Sequence, residues 1–252
     1  MHRVMQPDEE LPQALAAMSA HFDAEGLACD YAALAASRER GHLAVCLGEL
    51  ERFDPGRVRI SARSAFWINV FNAGVLRDAP ELAFAGDEQE VAAFFERPRL
   101  RIAGQPFSLD EICHGLLRGN MPAHGALQAP MRRDDPRLAY TPIAFDERVH
   151  FALFRGARSS PAFRVFEGGR LDEQLEEAAE RYVQRMTQVA PDGSAILLPK
   201  LLQWYAADFG GERGVLEFVL GRLDDAALER AERNLEHIKL RYGAFDWTLN
   251  RR

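Results

Sequence analysis

Cysteine is scarce in this chain of 252 residues, which contains only Cys29, Cys46 and Cys113. Their number is odd, they are widely spaced, and no C-x-x-C pair occurs. These features argue against a disulfide framework and against a cysteine-based zinc site. We therefore expect three free thiols, as in proteins of a reducing cytosol, and neither a metal site nor another cofactor.

Long apolar runs and an excess of positive charge are also missing. No segment approaches the roughly 18 consecutive apolar residues that indicate a membrane-spanning helix. The first residues, MHRVMQPDEELPQ, are polar and acidic and show no signal-peptide pattern, which predicts a soluble, cytoplasmic protein. Lysine and arginine number 31 against 38 aspartates and glutamates, a net charge of −7. Binding to nucleic acid or to a membrane is therefore not expected.

Several motifs that identify common enzyme classes are absent as well. The chain has no G-x-G-x-x-G, no Walker A sequence, no G-x-S-x-G and no H-E-x-x-H. A dinucleotide-binding fold, a P-loop, an α/β-hydrolase elbow and a zincin site each depend on one of these motifs. The sequence thus offers no ready assignment to any of these classes.

The patterns that are present predict a mostly helical α+β protein. Hydrophobic residues make up 47% and charged residues 27%, which is typical of a globular chain. Amphipathic helical stretches of varied length are separated by a few short alternating stretches, with no regular βαβ period. We predict a small, mainly antiparallel sheet packed by helices. No linker divides the chain, so residues 1–252 are expected to form one domain.

A central helix is predicted from the segment SARSAFWINVFNAGVLRDAP, which is apolar nearly all round. Trp67, Ile68 and Phe71 should be buried there. Asn69 and Asn72 are three residues apart and share one face of this helix. A buried amide needs partners, so the two side chains either tie the helix to loop backbone or line a pocket.

A second candidate site follows a predicted β-hairpin at residues 99–109. Ser108 and Glu111 have the spacing of a capping box that begins a helix. Glu111, His114 and Arg118 would share the polar face of that helix. They either form an exposed face with weak ion pairs, or Glu111 raises the basicity of His114. A lone Glu-x-x-His is too little to predict a metal site.

A third candidate site combines His150 with the segment Ser159-Ser160-Pro161. His150 lies in a predicted strand at 148–154, which we expect to join the hairpin in one sheet. Serine before proline is typical of a helix start, with Ser160 as N-cap. A hydroxyl at a helix N-terminus is also where backbone N–H groups stabilise an oxyanion.

These same segments resemble the bacterial and plant family called domain of unknown function 547. The resemblance runs from about residue 28 to the end of the chain. The stretches that carry it are Asp30–Leu34, Ala65–Ala73, Phe107–Arg118, Val149–Leu153, Leu198–Tyr205, Asp208–Gly210 and Phe245–Asn250.

One departure from the family pattern bears directly on function. After the His-Phe-Ala-Leu segment the family has Asn-Cys, a short turn and then Ser-Cys-Pro. Here those positions read Phe154-Arg155 and Ser159-Ser160-Pro161, so both thiols are missing. The resemblance implies an architecture like that of papain or transglutaminase, but a cysteine nucleophile is not available at these positions.

Two functions remain in view, and whether the chain is an enzyme stays open. The first is a non-catalytic module that keeps the family cleft and binds a small molecule or peptide. The alternative is a hydrolase or acyl-transfer enzyme with Ser160 as nucleophile, His114 as base and Glu111 orienting that base. In either case Asn69, Asn72, Arg118 and His150 are expected to line the cleft.

Overall fold

Helices dominate the protein, for which a computed structural model describes residues 6–79 and 88–252. In that part of the chain no helix is long and apolar enough to cross a membrane. The α-helices are α1 (Pro7–Met18), α2 (Tyr31–Ala35), α3 (Arg38–Glu49), α4 (Arg63–Asp78), α5 (Glu88–Glu96), α6 (Leu171–Met186), α7 (Lys200–Trp204), α8 (Glu212–Leu220) and α9 (Asp225–Glu232).

Two small sheets accompany the helices. The first is a hairpin in which β1 (Leu100–Ile102) pairs antiparallel with β2 (Gln105–Phe107). In the second, β3 (Gln188–Val189) pairs antiparallel with β4 (Ala195–Leu198), and β4 pairs parallel with β5 (Lys239–Tyr242). Short, mostly antiparallel sheets among many helices confirm the predicted α+β class. Where a single sheet was predicted, the described residues form two.

Helix α4 lies at the centre, as its apolar sequence predicts. Residues 65–76 are all buried, and Trp67, Ile68 and Phe71 are at most 1% exposed. Around α4, one cluster of buried apolar residues extends from Leu11 to Leu249. The three cysteines are free and buried, as predicted from their number and spacing.

The capping box at Ser108 is confirmed, but the helix it begins is of the rare π type. The Ser108 N–H donates to Glu111 Oε2 at 2.9 Å, and the Glu111 N–H donates to Ser108 Oγ at 3.0 Å. A π-helix then spans Glu111–Leu117. Its hydrogen bonds close over five residues, so each turn holds more residues than an α-helical turn. Residues four apart therefore stay aligned, while residues three apart diverge.

The predicted strand at 148–154 is wrong. Residues Glu147–Phe151 form a 3-10 turn that begins where the Asp146 carboxylate accepts the Arg148 N–H. Val149, Phe151 and Leu153 are buried, but so are His150 and Ala152 between them. The alternation therefore does not mark one buried face, because all five residues are buried. A short apolar run does not by itself distinguish a strand from other buried structure.

The predicted helix start at Pro161 is also wrong. Residues 161–167 have no regular structure, and α6 begins only at Leu171. Ser160 therefore caps no helix, and no helical N–H groups surround its hydroxyl. Its Oγ accepts the Arg155 N–H at 2.7 Å and donates to the Pro161 carbonyl at 2.8 Å.

Candidate functional site

The π-helix brings Asp110, His114 and Arg118 together on one face. Arg118 Nη1 lies 3.0 Å from His114 Nδ1, and His114 Nε2 lies 3.7 Å from Asp110 Oδ1. Glu111 is turned away from this face, because residues three apart do not align in so wide a helix. Its Oε1 instead accepts from Arg137 Nη2 at 2.7 Å. The predicted pairing of Glu111 with His114 is thus replaced by Asp110 on one side of the histidine and Arg118 on the other.

Asp208 joins this face to His150. It lies in the 3-10 turn Ala206–Phe209, which precedes α8. Its two carboxylate oxygens accept from Arg118 Nε and Nη2, both at 2.7 Å, and Oδ2 is also 2.7 Å from His150 Nε2. The Asp208 side chain is only 2% exposed. We call His114, Arg118, Asp208 and His150 the buried network.

The ring of Tyr205 holds the buried network in place. It stacks on the His150 imidazole with ring centroids 3.8 Å apart and planes 12° from parallel. The Arg118 guanidinium carbon lies 4.9 Å from the centre of the same ring. A cation beside an aromatic face is attracted by the ring quadrupole, which adds to the hydrogen bonds in fixing Arg118.

Both histidines of the buried network are neutral at neutral pH. Burial, aided by the charge of Arg118, lowers the pKa of His114 to about 3. Burial also lowers the pKa of His150, to about 4, although the hydrogen bond to Asp208 opposes it. Arginine can only donate, so His114 Nδ1 is the acceptor and Nε2 carries the proton. His114 is therefore a hydrogen-bond donor on its Asp110 side.

A cavity of about 500 Å³ opens beside the buried network. Its polar lining comprises Asp110, His114, His124, Arg155 and Lys200. Its aromatic lining comprises Phe71, Phe95, Trp204, Tyr205 and Trp247. We call this cavity the Arg155 pocket. A mainly apolar wall with a few converging polar groups is the usual form of a small-molecule site.

Arg155 occupies the first position at which the resemblance implies a cysteine. Only 5% of the residue is exposed, and its Nη1 donates to the Leu153 carbonyl at 3.0 Å. Within residues 6–79 and 88–252 it has no ion-pair partner, and neither has Lys200. The charge of Arg155 acts on the Asp110 carboxyl of the same pocket, but the two do not form an ion pair. A buried guanidinium without a directly paired counterion is unusual, because removing a charge from water is expensive.

The other ionisable groups of the pocket differ from their usual states. Burial, helped by the charge of Glu96, raises the pKa of Asp110 to about 6. Cys113 also lines the pocket, but burial raises the pKa of its thiol to about 12. The thiolate is the nucleophilic form, so Cys113 does not take the place of the missing family cysteine.

Ser160 is connected to the site through its hydroxyl, which accepts the backbone N–H of Arg155. The hydroxyl is used by the Arg155 N–H and the Pro161 carbonyl, and among the described residues it bonds neither histidine. The preceding Phe154 packs against Phe22 and Phe163 in the core and does not plug the pocket. The structure thus brings together His114, Arg118 and His150 of the predicted site, without a Glu111–His114–Ser160 triad.

The two buried asparagines hold two loop segments, and Asn72 holds the one next to Arg155. Asn69 pairs with the N–H and carbonyl of Phe166 at 3.0 and 2.7 Å. Asn72 accepts the Phe154 N–H at 2.9 Å and donates to the Ala152 carbonyl at 3.1 Å. These bonds agree with the interpretation that the amides tie α4 to loop backbone.

Acid should destabilise the protein through the two neutral histidines. In the unfolded chain they take up protons near pH 6.5, whereas the folded forms do so only near pH 4 and 3. The free energy of unfolding should therefore fall as the pH is lowered from about 6.5. Asp110 acts in the opposite sense, because its folded pKa of about 6 exceeds the unfolded value, so its contribution exists at low pH and is lost as the pH rises.

The variant Asp110→Asn isolates these opposing contributions. It removes the carboxylate, so its free energy of unfolding should decline more steeply between pH 6.5 and 4 than that of the wild type. Urea denaturation at intervals of half a pH unit gives both curves. Parallel curves would contradict the raised pKa of Asp110.

A family model described as "Protein of unknown function, DUF547" matches residues 57–183, about half of the chain. The chain therefore belongs to this family. Comparisons with curated proteins and with solved structures found no match. The matched region contains Asp110, His114 and Arg155, whereas Lys200 and Asp208 lie beyond it. Function must accordingly be argued from the site itself.

Proposed function

We propose that this DUF547 protein is a non-catalytic binding module for a small organic anion, which occupies the Arg155 pocket. The observation that supports this most is the state of Arg155. The residue is buried, always charged and without a carboxylate at ion-pair distance in the described structure. An acidic group of the ligand would supply the missing counterion.

The donors around the pocket suit an acidic group. A guanidinium presents a planar fork that matches two oxygens of a carboxylate, phosphate or sulfonate. His114 lines the same cavity, with its Nε2–H on the side of Asp110, and Lys200 at the start of α7 adds a second positive charge. The two cations Arg155 and Lys200 outnumber the one carboxyl group of this lining, Asp110, which favours an anion over a neutral or cationic ligand.

The remainder of the ligand should be apolar and of drug-like size. Trp204 and Trp247 are half-buried and nearly parallel, with ring centroids 5.9 Å apart, and Phe95 packs 6.1 Å from Trp247. Such walls favour aromatic or aliphatic groups. A volume of about 500 Å³ lies within the range of roughly 300–1,000 Å³ usual for such sites.

Four features speak against covalent catalysis in this pocket. An arginine stands at the first family cysteine position, and the Cys113 thiol is protonated. His114 Nδ1 is occupied by Arg118, and its Nε2 already carries a proton, so it is not a ready base. Ser160 has both of its hydroxyl contacts on backbone. No contact in the described structure favours the hydrolase alternative.

The proposal predicts that naphthalene-based anions bind and that Arg155 governs their affinity. The probes are 2-naphthoate, 1-naphthyl phosphate and 1-naphthalenesulfonate, with binding followed by tryptophan fluorescence. Arg155→Met should weaken the best of them by roughly 10- to 100-fold, which corresponds to losing charge-assisted hydrogen bonds of about 1.5–3 kcal/mol. Removing a buried charge should offset the loss of its hydrogen bond to the Leu153 carbonyl, so the stability of this variant should change little.

Two controls make the test decisive. Arg158→Met removes an exposed arginine from the same turn and should leave affinity unchanged. 2-Naphthamide has the same ring without the charge and should bind at least about tenfold more weakly than 2-naphthoate. Equal affinity of Arg155→Met and wild type, or no saturable binding of any of the three anions, would contradict the proposal.

A further inference from the structure

Helices α1 and α3 pack against each other and bring three different metal-ligating side chains to one place. Glu10 comes from α1, and His42 and Cys46 come from α3. One carboxylate oxygen, one imidazole nitrogen and the Cys46 Sγ all lie within 4.8 Å of one another. His42 Nε2 and Cys46 Sγ are 3.7 Å apart.

The local geometry follows from helical spacing and from the packing of the two helices. His42 and Cys46 are four residues apart, so their side chains share one face of α3. Glu10 reaches them from the facing helix. Cys46 is buried, Glu10 is half-buried and His42 is exposed, so the group is open to solvent on its histidine side.

We propose that Glu10, His42 and Cys46 bind one divalent transition-metal ion, with Zn²⁺ as the ion that fits best. Thiolate, imidazole and carboxylate are the three ligand types that Zn²⁺ uses in proteins, and three protein ligands leave its fourth position for water. Ca²⁺ and Mg²⁺ are disfavoured, because they require six or more oxygen ligands or near-octahedral oxygen geometry.

The distances are compatible with such an ion after small side-chain movements. With bonds of about 2.0–2.3 Å, the ligand atoms of a tetrahedral zinc site lie roughly 3.4–3.8 Å apart. The 3.7 Å between His42 Nε2 and Cys46 Sγ is already in this range. Glu10 and His42 both reach the surface, so their side chains can rotate without disturbing the core. Binding would release the thiol proton, with no change of oxidation state.

Cobalt provides a direct spectroscopic test with the full-length chain after removal of metal by EDTA. We expect one Co²⁺ per chain and a near-ultraviolet charge-transfer band from thiolate to cobalt, both abolished by added Zn²⁺. Cys46→Ser should remove the band. His42→Ala should weaken Co²⁺ binding by at least the roughly 10- to 100-fold seen when a group supporting a metal ligand is lost.

Controls separate this site from adventitious surface binding. His42 is exposed, so His42→Ala tests the site without a risk to folding. His237→Ala removes another exposed histidine and should leave Co²⁺ affinity unchanged. Co²⁺ binding without the charge-transfer band, or equal affinity of His42→Ala and wild type, would overturn the proposal.

Discussion

Replacing Trp67 by alanine should lower the free energy of unfolding by about 3–5 kcal/mol, as is usual for a large buried aromatic residue. The side chain is 0% exposed. Its ring packs 5.0 Å from Phe66 and 5.6 Å from Phe107, and its Nε1–H donates to the Tyr140 carbonyl at 2.9 Å. The change would therefore leave a cavity and an unpaired carbonyl together. Urea denaturation at neutral pH measures the loss.

The size of this effect depends on where Trp67 lies. It connects α4 to the hairpin through Phe107 and to the 3-10 turn Pro136–Tyr140 through its hydrogen bond. Ile60→Ala is the matched control, because Ile60 is 49% exposed and its loss should change stability by no more than about 0.5 kcal/mol. A loss below about 1 kcal/mol for Trp67→Ala would mean that α4 is not the centre of the core.

Replacing Asp208 by asparagine should also destabilise the protein by about 3–5 kcal/mol, the range observed when one partner of a buried ion pair is removed. The change leaves Arg118 buried and without its counterion, and the Arg118 side chain is only 6% exposed. Asp134→Asn is the control, because the Arg132–Asp134 pair is solvent-exposed. Its loss should change stability by about 0–1 kcal/mol.

The pH dependence of this difference gives a second readout. Burial alone would raise the pKa of Asp208, but the hydrogen bonds from His150 and Arg118 outweigh it and hold the pKa at about 2. A depressed folded pKa means that the contribution is present above the unfolded value of about 3.9 and is lost as the pH falls toward 2. The wild type and Asp208→Asn should therefore converge in acid. A difference that is constant down to pH 2 would argue against an ionic role.

The same variant bears on the Arg155 pocket. Arg118 donates to His114 Nδ1 and so sets the tautomer of that histidine. Asp208→Asn weakens the bonds that hold Arg118, so His114 should be held less firmly in the pocket lining. Arg155 makes its side-chain bond to the Leu153 carbonyl and does not depend on Asp208. The stability of the network and the charge of the pocket are thus separate properties, which Asp208→Asn and Arg155→Met address in turn.

Local patterns in the sequence determined the features that neighbouring residues decide. The spacing of Ser108 and Glu111 was sufficient to predict a capping box, because both bonds close within one turn. The apolar segment around Trp67 predicted a buried central helix, since a helix without a polar face has to be covered. The count and spacing of cysteines predicted free thiols. Amphipathic helical stretches separated by a few short alternating stretches predicted the α+β class.

Tertiary structure alone decided the composition of the site, because its contacts join residues that are far apart in the chain. Arg118 and Asp208 are 90 residues apart, and nothing in the local sequence of either one indicates the other. In the π-helix Asp110, four residues before His114, is its neighbour, and not Glu111, three residues before it. The larger number of residues per turn causes this, and the i, i+3 spacing of an α-helix does not anticipate it. The predicted strand at 148–154 is a 3-10 turn at Glu147–Phe151 followed by irregular chain, and no strand of the described residues pairs with it. The carboxylate of Glu10 meets His42 and Cys46 only because two helices pack, so the spacing of histidines and cysteines could not predict that group.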